Sequence, residues 1–196
     1  MNRPGLAWAA VALAVVVPAA CVGVVRQPML SWLTLWPAHG WAKFRWWMLW
    51  SPAWAHASAL HLQFNLLAGV LVGLLGWGLR APPWAALGWL LAWPLTHALL
   101  MLDPRLLWYV GASGMLHAGV AVLVIVLWDQ HRRAMATTVA AILTAKVLLD
   151  VLSGLPVASR AGLDIPVAPI SHLFGASAGL VIAGFHHGLI SWRRRI

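Results

Sequence analysis

One serine and one histidine in this sequence stand in settings suited to nucleophilic chemistry. Ser113 lies between glycines in Gly111-Ala-Ser113-Gly114, and His172 opens a later run of small residues. The glycines let the backbone turn sharply and let a substrate approach the serine closely. Serine is a weak nucleophile until a base accepts its proton, so a Ser–His contact is the minimum chemical unit. The pattern predicts acyl transfer by Ser113, with His172 as its base.

The residues after His172 indicate how the two segments would meet. Gly175 and Gly179 are four residues apart and lie on one face of a helix. Such small-residue stripes let membrane helices pack closely. We expect this packing to bring His172 within hydrogen-bonding distance of Ser113. No residue in the sequence is obviously placed to orient His172, so we predict a Ser–His dyad rather than a triad.

A second polar pair precedes the serine. His61 and Asn65 are also four residues apart, in His61-Leu-Gln-Phe-Asn65, and therefore share a helix face. Acyl transfer needs hydrogen-bond donors for the oxyanion that develops on the attacked carbonyl. The side chains of His61 and Asn65, together with the backbone N–H of Ser113, are the candidate donors.

The composition indicates that lipid is the solvent around these residues. Of 196 residues, 62% are hydrophobic and 9% are charged, which is too apolar for a soluble domain of this size. Apolar segments lie near 6–25, 54–79, 83–102, 113–128, 134–153 and 169–190. Each approaches the ~17–25 residues that a spanning helix needs, and only helices satisfy their own backbone in lipid. We therefore predict an all-α membrane protein, a single domain over 1–196 forming a six-transmembrane-helix bundle.

The first segment and the link that follows it allow more than one interpretation. Residues 1–25 resemble a signal peptide ending in Pro18-Ala-Ala-Cys21, but Pro18 fits a cleavage site poorly, and we expect an uncleaved helix. Cys21 is the only cysteine, so no internal disulfide can form. The link over 26–53 carries six tryptophans, which favour a membrane–water interface. An ordinary tryptophan belt explains the composition equally well.

The basic residues bear on orientation. The formal charge is +9, but the basic residues stand singly between apolar runs or at the C-terminus, and we expect no nucleic-acid partner. A cytoplasmic N- and C-terminus places more basic residues inside than outside, and Arg193–Arg195 directly follow the last segment. The inner set is Arg3, Arg80, Arg132, Arg133, Arg193, Arg194 and Arg195, and the outer set is Arg26, Lys43, Arg45, Arg105 and Arg160.

Three further polar residues lie inside the predicted spans. Lys146 and Asp150 are four residues apart, which predicts an ion pair that reduces the cost of both charges in lipid. We assign that pair a structural role and no catalytic one. His117 shares a helix face with Ser113. It either stacks on His172 and tunes it, or fills space passively.

Taken together, the motifs resemble those of the rhomboid family of intramembrane proteases. Three motifs occur in that family's order: His61-x-x-x-Asn65, Gly111-x-Ser113-Gly114 and His172-x-x-Gly175-x-x-x-Gly179. The resemblance implies a Ser113/His172 dyad with His61 and Asn65 in the oxyanion hole. His56 matches a histidine seen in bacterial rhomboids. The resemblance would place the following residues around the catalytic groups: His56, His117, Gly111, Gly114, Gly175 and Gly179.

One motif is more specific. Many rhomboids have a tyrosine four residues after the serine, whereas Ser113-Gly-Met-Leu-His117 is similar to the Ser-Gly-x-Leu-His pattern of the rhombosortase subfamily. That resemblance implies transmembrane protein substrates with a C-terminal Gly-Gly tail: a short motif, one membrane helix, then basic residues. It also implies a multi-pass protein of the bacterial inner membrane, in contact with lipid, whose active site opens to the periplasm.

Several alternatives stay open. The chain could be a generic rhomboid protease with other transmembrane substrates, or a non-proteolytic rhomboid-like protein that binds membrane clients. The latter usually lacks the serine or the histidine. A haem anchor with histidine ligands would leave Asn65 and the glycine-flanked serine unexplained. A zinc protease of the His-Glu-x-x-His type is excluded because the chain has no glutamate. We expect no metal and no cofactor.

Overall fold

The computed structural model describes residues 4–24, 29–153, 156–158 and 167–193, with backbone only at 29–30 and 190–193. Of the orientation residues, Arg3, Arg26, Arg160, Arg194 and Arg195 lie outside these ranges. The described secondary structure is helical apart from isolated bridge pairs. The helices are α1 (Leu6–Val22), α2 (Met29–Leu33), α3 (Ala59–Gly78), α4 (Pro83–Leu100), α5 (Ser113–Asp129), α6 (Arg133–Leu152) and α7 (Pro169–Arg193).

The six apolar segments correspond to α1 and to α3 through α7, but their ends differ. The largest difference is at the second segment, expected from residue 54, where α3 begins at Ala59. Ser58 has an extended backbone, and its hydroxyl accepts a hydrogen bond from the backbone N–H of His61 at 3.2 Å. This cap sets the start of α3, because it satisfies a backbone donor that the first turn leaves free. The preceding Ser51–Trp54 forms a separate 3₁₀ turn.

Length and hydropathy identify two of the six predicted spans within the described residues, α3 and α6. Helices α1 and α5 are apolar but have 17 residues each. Helices α4 and α7 have 18 and 25 residues, but their tryptophan, proline and histidine residues lower the mean hydropathy of each helix.

The centre of the bundle is α5, which packs on α7, α4, α6 and α3. Its closest neighbour is α7, as the glycine spacing predicts. A Cβ atom built on Gly175 would lie 1.9 Å from the carbonyl oxygen of Gly114, and one on Gly179 would lie 2.3 Å from that of Ala118. The two backbones are therefore in direct contact, with room only for hydrogen at both glycines.

Large side chains fill the spaces around α5. Trp8 of α1 stacks on Trp89 of α4 with ring centroids 4.4 Å apart, and both indoles are buried. Each donates a hydrogen bond to a backbone carbonyl, Trp8 to Val72 at 3.0 Å and Trp89 to Met115 at 2.8 Å. Buried indole N–H groups need such partners, so these contacts tie α1 to α3 and α4 to α5.

The link between α1 and α3 holds the segment that leads into α5. It contains α2 and the 3₁₀ turns Pro37–Ala42, Trp46–Leu49 and Ser51–Trp54. Leu35 and Tyr109 exchange two backbone hydrogen bonds, of 3.1 and 2.9 Å, and the N–H of Gly111 donates to the carbonyl of Pro52 at 2.7 Å. This link therefore supports the backbone immediately before Ser113. Its tryptophans Trp32, Trp41 and Trp46 remain exposed.

The α5–α7 contact yields a stability prediction. Gly175→Ala is expected to lower the free energy of unfolding by about 1–3 kcal/mol, because the methyl group must separate the two backbones. Gly184→Ala is the matched control on the same helix, since nothing lies within 4 Å of an added Cβ there. It should be neutral or raise stability by up to about 1 kcal/mol. Unfolding in detergent micelles, followed by tryptophan fluorescence, measures both; equal effects would contradict the predicted contact.

Candidate active site

Ser113 is the first residue of α5, directly after a turn that requires glycine. Gly111 has a φ of +115°, in the region that side chains disfavour. A Cβ atom there would also lie 2.6 Å from the His61 ring. The turn therefore brings the imidazole of His61 against the backbone two residues before the serine. The N-terminus of α5 also directs its partial positive charge toward this point.

His172 lies in the first turn of α7 and is held by a carboxylate that the sequence analysis did not connect with it. Its Nδ1 is 2.6 Å from Oδ2 of Asp150, near the C-terminal end of α6. Both side chains are buried. This contact contradicts the expectation that no residue is placed to orient His172. Sequence spacing could not reveal the contact, because it joins two helices across 22 positions.

The predicted ion pair of Lys146 and Asp150 is confirmed. Lys146 bonds to Oδ2, the same oxygen atom that contacts His172. Its Nζ lies 3.5 Å from Nδ1 of His172. A lysine ammonium can only donate, so the carboxylate is the shared acceptor of the group.

His117 lies one turn after Ser113 and packs face to face on His172. The two ring centroids are 4.1 Å apart and the ring planes differ by 14°. Nδ1 of His117 donates a hydrogen bond of 2.7 Å to the carbonyl of Ser113, since a carbonyl can only accept. The stack was one of the two alternatives that the sequence left open for His117, and this ring geometry is the observation that favours it. The stack restricts rotation of the His172 ring on the side facing α5.

The Ser113 hydroxyl lies between a second serine and a tyrosine. Ser171 Oγ is 3.5 Å from Ser113 Oγ and donates to the carbonyl of Ala168 at 2.8 Å. The Tyr109 hydroxyl accepts from the N–H of Gly114 at 3.3 Å and also contacts the hydroxyls of Ser171 and Ser113. Burial raises the pKa of Tyr109 above 10.0. Tyr109 was missed in the sequence analysis, although it is the only tyrosine and lies four residues before Ser113.

The residues predicted to stabilise the oxyanion lie on α3 at the same cavity. Asn65 is buried, and one of its amide hydrogens bonds the backbone carbonyl of His61 at 2.9 Å. The His61 ring packs edge-to-face on His56 at 5.0 Å between centroids. Burial, together with the neighbouring His61, lowers the pKa of His56 to about 3. His56 is therefore a neutral support for His61 at physiological pH.

One cavity of about 660 Å³ joins these groups. Ser113, His172, His61, Asn65, His117 and Lys146 all line it. The rest of its wall is largely apolar and comes mainly from the segment before α5, with contributions from α3, from α5 and from the stretches flanking 159–166; it includes Leu107, Trp108, Val157 and Val167. A cavity of this size, largely apolar with polar groups at one point, has the dimensions and lining of a ligand-binding site.

The same group has to be considered as a metal site. His117, Asp150 and His172 offer ligand atoms within 4.8 Å of one another. Imidazole lone pairs lie in the ring plane, however, and the nearly parallel stack directs those of His117 and His172 into separate planes. The ammonium group of Lys146 also donates to Oδ2 of Asp150, the oxygen that contacts His172. The donor set is therefore arranged for hydrogen bonding rather than for chelation.

Comparison with known proteins agrees with this architecture. The sequence model described as the Rhomboid domain matches residues 43–188, about three quarters of the chain. The chain belongs to the rhomboid family, whose members are integral membrane proteins and include intramembrane serine proteases. The matched range contains every site residue described above. No curated protein and no solved structure matches the chain.

The burial of Tyr109 can be tested directly because the chain has one tyrosine. Free tyrosine is half ionised near pH ~10. The folded protein should show little tyrosinate absorbance at that pH, and unfolding should release it. Because the pKa of Tyr109 is raised in the folded state, the contribution of its protonated form to the free energy of unfolding should be fully present below pH ~10. That contribution should fall as the pH rises toward the folded-state pKa. Tyr109→Phe supplies the baseline, and half-ionisation of the folded protein at pH ~10 would contradict the prediction.

Proposed function

We propose that this protein is an intramembrane serine endopeptidase in which Ser113 is the nucleophile and His172 its general base. The single observation that carries the proposal is the α5–α7 backbone contact, which puts Ser113 and the first turn of α7 at one cavity. A hydroxyl and an imidazole at a common cavity are the minimum unit for acyl transfer.

The proposed reaction proceeds through an acyl-enzyme. The Ser113 hydroxyl turns from Ser171 toward His172, and its oxygen attacks the scissile carbonyl carbon while Nε2 of His172 accepts the proton. That proton then passes to the leaving amine as the C–N bond breaks. Water then attacks the ester while the same nitrogen accepts its proton, and that proton passes to Ser113 Oγ as the ester C–O bond breaks, which releases the acid and restores Ser113.

The oxyanion of both steps would be stabilised from the α3 side of the cavity. Asn65 keeps one amide hydrogen available beyond its bond to the His61 carbonyl. The His61 imidazole and the N–H of Ser113 are the other proposed donors. The N-terminus of α5 adds favourable electrostatics at the same point.

For the substrate we propose a transmembrane protein with a C-terminal Gly-Gly tail, as in rhombosortases. A helical peptide bond hides its carbonyl, so the substrate must unwind locally before attack. Paired glycines reduce that cost, since each disfavours helix by about 1 kcal/mol relative to alanine. The Ser113-Gly-Met-Leu-His117 pattern supports this choice.

We further propose a bacterial inner-membrane location with both termini cytoplasmic and the cavity open to the periplasm. Arg80, Arg132 and Arg133 lie at the ends of α3, α5 and α6 opposite to the end that carries the site. Arg193 ends α7, whose first turn is at the site, and Arg194 and Arg195 follow it in the sequence. Basic residues at cytoplasmic helix ends are the expected arrangement.

The proposal is tested by cleavage in liposomes of a model substrate with a Gly-Gly tail, one membrane helix and basic residues. The wild type should cleave near the glycines, and Ser113→Ala should abolish cleavage. Ser171→Ala is the matched control, because Ser171 is a buried neighbour bonded to Ala168. It should retain turnover, and a fluorophosphonate probe should label Ser113.

The other outcomes separate the alternatives. Cleavage of generic rhomboid substrates alone would keep the protease and contradict the Gly-Gly specificity. Folded protein that cleaves no substrate and does not react with the probe would favour the client-binding function.

The stacked histidine gives a further prediction. His117→Tyr should keep turnover within about tenfold, because an aromatic ring can still pack on His172, whereas His117→Ala should lower kcat further. Both variants lose the hydrogen bond to the Ser113 carbonyl, so the difference between their kcat values measures the effect of the ring stacked on His172. Equal rates and pH profiles in wild type and both variants would assign His117 a passive role.

A further inference from the structure

Asp150 makes one contact more than a structural ion pair requires. An i,i+4 pair on α6 would be complete with Lys146 and Asp150 alone. The side chain of Lys146 is 47% exposed, whereas that of Asp150 is 1% exposed and lies against α7. The carboxylate thus faces inward, to a histidine on another helix, rather than outward with its lysine partner.

The contact with Asp150 determines which nitrogen of His172 carries hydrogen. An ionised carboxylate can only accept, and Oδ2 of Asp150 is the atom that both Lys146 and Nδ1 of His172 approach. The hydrogen of neutral His172 therefore lies on Nδ1. Its lone pair lies on Nε2, the nitrogen on the opposite side of the ring.

Three groups together restrain the His172 ring. Asp150 and Lys146 approach its Nδ1 edge from α6, and the His117 ring covers one face from α5. A histidine held at one edge and one face has little freedom to turn its base nitrogen away from the cavity. An imidazolium formed during reaction would also be stabilised by the carboxylate at 2.6 Å.

We propose that Asp150 is a positioning residue: it holds His172 as the Nδ1–H tautomer and so completes a Ser113–His172–Asp150 triad, with Lys146 securing the carboxylate. The inference rests on the proposed protease function and deepens it. The charged and titratable groups that contact His172 in the described part of the chain are Asp150, Lys146 and His117.

The kinetic test compares two variants that break the same ion pair. Asp150→Asn retains the shape but lets an amide donate to Nδ1, which favours the wrong tautomer. It should lower kcat by about 10²-fold or more with little change in KM. Lys146→Met removes the ion pair but leaves the carboxylate on His172, so its kcat should fall by less than about tenfold. Asp150→Glu should recover part of the loss.

The spectroscopic test needs no turnover. In protein labelled with ¹⁵N-histidine, with the His172 signals assigned by loss in His172→Gln, the wild type and Lys146→Met should show hydrogen on Nδ1. Asp150→Asn should shift the signal toward the Nε2–H form. Should Asp150→Asn not fold, the wild-type spectrum decides alone, and hydrogen on Nε2 in neutral His172 would overturn the inference.

The failures of the two proposals are distinguishable. Ser113-dependent cleavage that is equal in wild type and Asp150→Asn, or equal losses in Asp150→Asn and Lys146→Met, would overturn the positioning role and leave the protease intact. Absence of any Ser113-dependent cleavage by the folded wild type would overturn the proposed function and the triad with it.

Discussion

The direct backbone contact between α5 and α7 is the constraint on which the rest of this structure depends. Gly175 lies so close to the carbonyl of Gly114 that no side chain fits between them. Gly114 is next to Ser113 and Gly175 is one turn from His172, so the contact that stabilises the bundle also sets the distance between the two proposed catalytic residues. A substitution that changes the packing of α5 on α7 will therefore also change the distance between Ser113 and His172. A membrane bundle has little hydrophobic driving force between helices, and close backbone contact is its usual substitute.

Polar groups inside such a bundle are tolerated only in mutually satisfied groups. Asp150 illustrates this: a buried carboxylate among apolar helices would be strongly destabilising alone, yet it receives Lys146 from its own helix and His172 from the next. The arrangement joins the ends of α6 and α7. It also explains why Asp150 is compatible with the membrane without excluding a role at the site. A charge that must be paired for stability is available to orient a base.

The segments before α3 and before α5 support the site and are more than simple connections. The exchange of hydrogen bonds between Leu35 and Tyr109, and the bond from Gly111 to Pro52, join the link before α3 to the segment before α5. Tyr109 extends this support into α5 by accepting from the N–H of Gly114. The first turn of α5 is thus held from the loop side, from α7 and from the ring of His61 against Gly111. The backbone at Ser113 therefore has little room to move, whereas its hydroxyl can still rotate about the side-chain bond.

The sequence by itself determined the helical class, the approximate helices, the Ser113, His172 and His61–Asn65 motifs, and the Lys146–Asp150 ion pair. These depend on composition or on spacing within one helix, and the 3.6-residue period makes such spacing readable. Only the tertiary structure decided that Asp150 reaches His172, that Tyr109 supports Gly114, and that α3 begins at Ala59. The first two join different helices or a loop and a helix, and no periodicity encodes which faces meet. The third depended on Ser58, a cap that hydropathy alone does not register.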